Sequence, residues 1–299
     1  MHLLRSAVAA GIGTIILGAV APAMAANADC PNGGTVRFGV EPYEAAATIV
    51  PILDKLGKVI AKDLGCDVQV FVTTSYNAEI EAMRSDKLEF GEFGPLGYVL
   101  AHQVAKAEAV ATFTDKSGAP DTYYASIVSW PGSNLKTLAD VAGHSFAYSD
   151  AASTSGHLFP AFALKKAGID PDNGVKAVYA GSHTASYEAI LNHKVEAGEL
   201  NSEEIRAAQQ QNHYDAKNFV TLWQSDPIPV DPIAVRSNLD PAFKARLIKV
   251  LQNVDLTSLG DDDRKHLMGT GPRTIATTDA TFNQICDLVD TLHVDLAKM

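Results

Sequence analysis

The chain has 299 residues, of which 46% are hydrophobic, an ordinary composition for a globular protein long enough to form two core-bearing lobes. Its 35 acidic and 24 basic side chains give a net charge of −11. This acidity argues against nucleic acid or an anionic membrane as a partner. An anionic ligand would have to be held by local dipoles and hydrogen bonds instead of long-range attraction.

The first 25 residues have the pattern of a secretory signal peptide. Arg5 precedes an uncharged apolar run at residues 6–20, and Ala23-Met24-Ala25 provides a small-residue cleavage site. The run is too short for a spanning helix, and no later segment is apolar over the roughly 18 residues that one requires. We therefore expect an exported, soluble protein cleaved after about Ala25, with a net charge of −12 because Arg5 is lost.

Strand and helix patterns alternate along the rest of the chain. A first run predicts strands at residues 36–40 and 68–73, a short strand at Phe90 and Phe93, and helices at 45–64, 77–86 and 95–105. A second run predicts strands at 123–129, 145–149, 175–179 and 195–200, and helices from His157, at 185–192 and from Ser202. Such alternation favours mostly parallel sheets covered by helices.

Two stretches rich in turn-forming residues separate these runs. Residues 115–121 hold glycine and proline, and residues 225–232 hold three prolines, which fit neither a helix interior nor a central strand. We interpret both as hinge crossings between two α/β lobes with a ligand cleft between them. The predicted boundaries are 29–121 plus 230–299 for the first lobe and 122–229 for the second.

The three cysteines are too few for a disulfide scaffold. Cys30 precedes the predicted strand Thr35–Val40, and Cys66 precedes the predicted strand Asp67–Val72. If the two strands are neighbours, a Cys30–Cys66 bridge can form, and it would persist in an exported protein. Cys286 is then predicted to be a buried apolar residue, since free cysteine packs as a small hydrophobe.

Ser153-Thr154-Ser155-Gly156 follows an apolar strand and opens a predicted helix. A helix start has unpaired N–H groups and a positive dipole end, so three hydroxyls placed there could surround a small tetrahedral anion. The alternative is that one of these residues is simply an N-cap, a position that serine and threonine favour.

Four further residues are candidates at the same cleft. His183 lies just after a strand at the same edge of the second lobe as Ser153, and Tyr76 lies at the matching edge of the first lobe. Tyr123 is beside the first crossing, and Asp231 is in the second. An imidazole or a phenol there could donate to an anion, although a loop histidine or a packed tyrosine is the commoner case.

The sequence offers little support for an enzyme. It has no C-x-x-C or H-E-x-x-H spacing for a metal and no Walker A or G-x-G-x-x-G loop for a nucleotide, so we expect no metal and no cofactor. A secreted hydrolase would need Ser153 or Ser155 with His183, and no G-x-S-x-G elbow is present.

Four segments together resemble the phosphate/phosphite/phosphonate-binding proteins, which are periplasmic components of ABC importers. They are residues 91–101, 150–158, 180–183 and 225–233, and the similarity extends over roughly residues 35–275. The resemblance implies the type II periplasmic binding fold, which is α/β with two lobes. It also implies a small phosphorus oxyanion as ligand and a membrane permease as partner.

The resemblance also implies a set of ligand-binding residues. The oxyanion donors correspond to Tyr76, Tyr123, Ser153, Thr154 and His183, with Ser155 as a further donor. Acidic partners correspond to Glu203 and Asp231, and Asn201 is the alternative to Glu203. A carboxylate beside a dianion is repelled unless it shares a proton or pairs with an ammonium group.

The ligand depends on which acids face it. With both Glu203 and Asp231, an aminoalkylphosphonate explains the pair; with Asp231 alone, phosphite, methylphosphonate or hydrogen phosphate suffices. We expect the protein to capture such an oxyanion by hinge closure between the lobes, with a phosphonate as the first candidate. The same site could serve phosphite or phosphate uptake, or a sensor for a membrane kinase.

Overall fold

The computed structural model describes residues 29–292. The predicted signal peptide and its cleavage site after about Ala25 lie outside these residues. Within the described range, no helix is both long and apolar enough to cross a bilayer.

The strands of the described chain form two mixed sheets and one two-stranded ribbon. They are β1 (Thr35–Val40), β2 (Asp67–Val72), β3 (Phe90–Glu92), β4 (Glu108–Phe113), β5 (Thr122–Tyr123), β6 (Ala125–Ser129), β7 (Ser145–Tyr148), β8 (Lys176–Tyr179), β9 (Ala197–Asn201), β10 (Val220–Gln224), β11 (Ile228–Pro229), β12 (Pro232–Val235) and β13 (Thr274–Ala276). The first sheet has the order β13-β4-β12-β3-β1-β2 and the second β10-β6-β9-β7-β8, while the ribbon pairs β11 with β5.

The helices cover both sheets. They are α1 (Ala46–Leu64), α2 (Tyr76–Arg84), α3 (Pro95–Ala105), α4 (Phe159–Lys166), α5 (His183–Leu191), α6 (Ser202–Gln210), α7 (Pro241–Leu251), α8 (Asp261–Arg264) and α9 (Asn283–Leu292). The alternation read from the sequence is therefore present, and the fold is the expected two-lobed α/β architecture.

The expectation of mostly parallel sheets needs correction. Only β3-β1-β2 in the first sheet and β9-β7-β8 in the second run parallel within the described chain, and the other neighbours in both sheets are antiparallel. The sequence patterns did not identify β4, β10 or β13, and β12 returns from the other lobe. A strand that is not joined to its sheet neighbour by a crossover helix can run antiparallel to that neighbour.

This topology gathers strand ends at the cleft. The parallel strands of each sheet point their carboxyl ends toward it. The antiparallel strands β12 and β6 begin at the same edges, because Ile233 pairs with Glu92 and Ala125 pairs with Asn201. Loops before and after these strands therefore meet between the lobes, where ligands of α/β folds bind.

Helix α1 illustrates how local sequence positions the first sheet. Its apolar residues recur at helical spacing, and the buried ones are Ile49, Ile52, Leu53, Leu56, Ile60 and Leu64. The helix ends at Gly65, whose φ of 73° suits glycine and whose N–H donates to the Ala61 carbonyl. The chain then enters β2, which places Cys66 beside Cys30.

The predicted Cys30–Cys66 disulfide is confirmed, with a Cα–Cα distance of 5.9 Å. Its position follows from the register of the first sheet, in which Thr35 pairs with Asp67. Cys286 lies on α9 and is half-buried against the first core, so the expectation of full burial needs correction. One face of α9 remains in contact with solvent, which leaves this thiol partly accessible.

Helix α3 connects the first core to the cleft. Its first seven residues are all buried, and it begins with Gly94 as cap and Pro95 in the first turn. It contacts both α2 of the first lobe and the turn at Thr154–Leu158 of the second. The N-terminus of α3 is therefore fixed directly against the segment that the sequence singled out as an anion socket.

Candidate ligand-binding site

One enclosed cavity between the lobes brings together most of the predicted site residues. Its walls are formed by Glu41, Tyr76, Gly94, Tyr123, Ser153, Thr154, Ser155, His183, Asn201, Asp231 and Met268. Each predicted residue except Glu203 is on this wall. The cavity lies at the strand ends, as expected for an α/β fold.

The serine-rich segment forms a single π-helical turn, Thr154–Leu158, ahead of α4. Ser153 caps this turn, since its Oγ accepts from the Gly156 N–H at 3.1 Å. The N-cap interpretation is therefore confirmed for Ser153, which also lines the cavity. A Cβ at position 156 would lie 1.7 Å from Ser149 Oγ and 2.9 Å from His183 Cε1, so only glycine fits.

His183 stands at the start of α5 between two hydrogen-bonding partners. Its Nε2 lies 3.3 Å from Ser153 Oγ, and its Nδ1 lies 3.0 Å from Glu199 Oε1. Burial by itself would lower the pKa of His183, but the charge and hydrogen bond of Glu199 raise it above 6.5. The imidazolium is thereby favoured and offers a cationic donor to the cavity.

The sequence patterns did not single out Glu199. It lies inside β9, where every residue is buried, and it is 1% exposed. An acidic residue in an otherwise apolar buried strand is itself a signal, since a buried carboxylate needs a partner. Here the partner is the histidine of the neighbouring helix.

Two phenols complete the donor set. Tyr76 begins α2, after the cap Ser75, and Tyr123 lies on β5 of the ribbon. Burial raises the pKa of both phenols well above 10, with Glu41 the next largest influence on Tyr76 and Asp231 on Tyr123. Both therefore remain neutral O–H groups that can donate to an anion.

The lobes are in direct contact around the cavity. The Leu96 N–H at the start of α3 donates to Thr154 Oγ1 at 2.8 Å, and the His183 N–H donates to the Tyr43 carbonyl at 3.2 Å. These bonds join the two sheets' lobes across the cleft. The arrangement is therefore a closed one, with each lobe supplying part of the wall.

The structure separates the two candidate acids. Asp231 is on the cavity wall and 4% exposed, and burial, followed by the charge of Glu92, raises its pKa well above 3.8. Glu203 instead lines an adjoining cavity and forms an ion pair with Arg206. Burial raises the pKa of Glu203 to about 7, although Arg206 acts in the opposite direction.

Asn201 takes the place on the wall that Glu203 does not occupy. It is the last residue of β9 and caps α6, because its Oδ1 accepts from the Glu204 N–H at 2.7 Å. Its Nδ2 donates to Ser155 Oγ at 3.2 Å. Of the two alternatives considered from the sequence, Asn201 is therefore the residue that faces the cavity.

Glu41 is a wall residue that the sequence analysis missed. It follows β1 directly and is 1% exposed, and its Oε2 accepts from the Gly94 N–H at 2.8 Å. A signal was available, since Glu41 interrupts an apolar strand end at the edge where ligands bind. The cavity therefore carries two carboxyl groups, Glu41 and Asp231.

The order Ser153, His183, Glu199 has the geometry of a nucleophile, base and orienting acid. However, Ser153 Oγ already accepts the capping N–H, and the raised pKa of His183 favours the protonated imidazole, which cannot take a proton from serine. The geometry supports binding of an anion better than nucleophilic attack.

Comparison with known proteins identifies the family. The family described as "ABC transporter, phosphonate, periplasmic substrate-binding protein" matches residues 38–280. The chain belongs to this family. It is therefore a periplasmic substrate-binding component of an ABC transporter and works with a membrane permease, as the sequence resemblance implied.

Individual members of the phosphonate-binding family are distant in sequence. The phosphonates-binding periplasmic protein of Escherichia coli K12 is 26% identical over 74% of this chain and 67% of its own length. The phosphate-import protein PhnD of Mycolicibacterium smegmatis is 25% identical over 69% of this chain and 68% of its own length.

A solved structure agrees with the fold. PhnD1 of Prochlorococcus marinus, in complex with methylphosphonate, has a TM-score of 0.76 with 20% sequence identity, over 87% of this chain and 98% of that one. At this level of identity the likeness concerns the fold alone. It confirms the two-lobed type II periplasmic binding architecture.

Proposed function

We propose that this periplasmic protein captures a small phosphorus oxyanion in the cavity between its lobes and delivers it to the permease. A phosphonate is the first candidate for this ligand. The observation that carries the proposal is the convergence of donors from both lobes on one enclosed space: Tyr76 from the first, and Ser153, Thr154, Ser155 and His183 from the second. The relatives named for phosphonates and for phosphate support the same ligand class.

Binding proceeds by hinge closure. With the lobe boundaries predicted from the sequence, the crossings fall at the ribbon of β5 and β11. An anion held by His183 and Ser153 in one lobe and by Tyr76 in the other stabilises the closed state, because only that state offers all contacts at once.

The positions of the two acidic residues limit which ligands suit the cavity. Asp231 faces the cavity beside Tyr123, and it can accept the hydrogen of a ligand P–OH. Glu203 is committed to Arg206, which removes one of the two acids that would bind an ammonium group. A compact monoprotonated oxyanion such as methylphosphonate fits this arrangement better than an aminoalkylphosphonate, and phosphite or phosphate would use the same contacts.

A ligand panel tests the proposed function. Thermal unfolding of the purified protein is measured with methylphosphonate, phosphite, phosphate, 2-aminoethylphosphonate and sulfate. A ligand at about 100 times its Kd stabilises the closed form by about 2.7 kcal/mol, so the true ligand raises Tm most. A profile in which no phosphorus oxyanion raises Tm above the sulfate control contradicts the proposal.

We further propose that the protein does not turn its ligand over. The imidazole of His183 is a donor in this site, and Ser153 is occupied as a helix cap. Prolonged incubation with methylphosphonate or a phosphate ester, followed by ³¹P NMR, should leave the spectrum unchanged. New phosphorus signals that depend on Ser153 would favour the hydrolase instead.

Thr154→Val is expected to weaken ligand binding by about 1.5–3 kcal/mol, or about 10- to 150-fold. The substitution removes a cavity hydroxyl and also the acceptor of the Leu96 N–H across the cleft. Isothermal calorimetry measures the change. Thr274→Val is the control, since this threonine is also buried and its hydroxyl bonds to Val254 and Leu251 of the first lobe. Equal affinity losses in both variants would refute a ligand contact.

Arg206→Lys is expected to weaken binding by about 1–2 kcal/mol, mainly through faster release. Arg206 of the second lobe donates to the Lys265 and Leu267 carbonyls of the first, at 3.0 and 2.7 Å, while Glu203 orients it. Lysine cannot reproduce this fork. Stopped-flow dissociation rates test the role, with Arg264→Lys as control because Arg264 forms its ion pair with Asp261 of the same helix, α8. Identical rates in both variants would rule out a clamp.

A further inference from the structure

One carboxyl oxygen of Glu41 has no partner among the contacts of the site. Its Oε2 accepts from the Gly94 N–H, but its Oε1 is buried and has no hydrogen-bond partner within residues 29–292. A buried polar atom without a partner is costly, so it is expected to gain one when a ligand binds. Glu41 is on the cavity wall, where that ligand would lie.

The backbone around Glu41 reserves room for its carboxyl group. A Cβ at Gly97 would lie 2.3 Å from Oε1, and a Cβ at Gly94 would lie 3.1 Å from Oε2. Both glycines belong to the segment that opens α3, so the carboxyl packs directly on backbone. The group is held in one position, which is a requirement for a specific ligand contact.

The groups that face Glu41 decide its charge. Acids influence it from three directions: Glu79 on α2, Asp231 before β12 and Asp150 after β7. The other titratable groups on the cavity wall are Tyr76, Tyr123 and His183. Burial, and after it the charge of Glu79, raise the pKa of Glu41 well above 4.5. A neutral carboxylic acid avoids both this repulsion and that of an anionic ligand.

We propose that Glu41 binds the ligand as a neutral carboxylic acid, with Oε2 accepting from Gly94 and the O–H on Oε1 donating to a ligand oxygen. The inference rests on the proposed function, since it assigns a further donor to the same oxyanion site. It gives the site a second carboxyl beside Asp231, whose carbonyl oxygen can accept a ligand hydrogen even when that acid is neutral.

Two substitutions of Glu41 distinguish this role from its alternatives. In E41Q the amide oxygen can accept from Gly94 and the NH₂ group replaces the O–H, so the affinity for the panel ligand stays within about threefold of wild type. In E41M the donor is lost, and the affinity falls about tenfold or more. Calorimetry measures both at pH 6. Equal losses in the two variants, or no loss in either, overturn the proposal.

A pH series adds a second readout. The ratio of wild-type to E41Q affinity is expected to stay constant or fall between pH 6 and pH 9, because the same ligand ionisation affects both proteins. A ratio that rises with pH would mean that the ionised carboxylate binds better, which overturns a neutral donor. Thermal unfolding without ligand checks that both variants fold.

Glu79 provides the matched control. It is fully buried, and its oxygens have no partner among the described residues, but it is not on the cavity wall. Glu79 influences Glu41 less than burial does, and burial is unchanged in E79Q and E79M, so both variants should leave ligand affinity at pH 6 unchanged. An affinity loss in E79M as large as that in E41M would assign the effect to loss of buried acids in general. If wild type binds no phosphorus oxyanion, the proposed function fails. If it binds and E41M binds equally well, the inference alone fails.

Discussion

Replacing His183 with glutamine is expected to weaken ligand binding by about 3 kcal/mol, or about 150-fold. The imidazolium is the cationic donor on the cavity wall, and glutamine offers an uncharged donor in its place. The substitution also leaves the carboxylate of Glu199, 1% exposed, without its partner. Breaking a buried pair in this way costs about 3–5 kcal/mol, so unfolding should occur at lower temperature as well.

The pH dependence of this variant separates charge from shape. The folded protein raises the pKa of His183 above 6.5, so the stability that protonation contributes is fully present below about pH 6.5 and is lost as pH rises through the folded pKa. The ratio of wild-type affinity to His183→Gln affinity, measured at each pH, should fall over the same alkaline range. Parallel profiles of the two proteins would show that the imidazole binds as a neutral group.

A control for the His183 result exists on the surface. His144 pairs with Glu196 at 2.9 Å, and both side chains are more than one third exposed. His144→Gln therefore removes a His–Glu pair that is exposed to solvent, and it should leave ligand affinity unchanged. Calorimetry and thermal unfolding of both variants give the comparison, and the double variant His183→Gln/Glu199→Gln should recover stability without recovering affinity.

Removing the Cys30–Cys66 disulfide is expected to lower the free energy of unfolding by about 4 kcal/mol. The bridge closes a loop with a sequence separation of 36, and the chain-entropy cost of such a loop sets this magnitude. Tm should fall by about 8–15 °C in the double variant Cys30→Ala/Cys66→Ala. Denaturant unfolding under oxidising conditions measures the difference.

Ligand affinity should survive this loss. The bridge is at the amino ends of β1 and β2, whereas the cavity is at their carboxyl ends, about 20 Å away for strands of six residues. Cys286→Ala is the control, because this cysteine is the free one and is half-buried on α9. A double variant as stable as wild type would mean that the unfolded chain keeps residual structure without the bridge, so that the bridge removes little chain entropy.

The local features of this protein follow from its amino-acid sequence alone. Hydrophobic periodicity predicted most of the helices and strands, and the hydroxyl-rich Ser153-Thr154-Ser155-Gly156 and the resemblance to binding proteins indicated where an anion would lie. These properties depend on residues near one another in the chain, or on segments in a fixed order. The Cys30–Cys66 bridge followed as well, because it needed only that two strands be neighbours.

The tertiary structure decided what depends on direction and on partners. Which of Asn201 and Glu203 faces the cavity is set by the end of β9, because Asn201 closes the strand while Glu203 turns with the first turn of α6 toward Arg206. The roles of two acids depend on contacts with residues distant in sequence: Glu199 pairs with His183, and Glu41 accepts from the Gly94 N–H. Local propensity carries no information about such pairings, since burial and charge at a site come from segments that only the fold brings together.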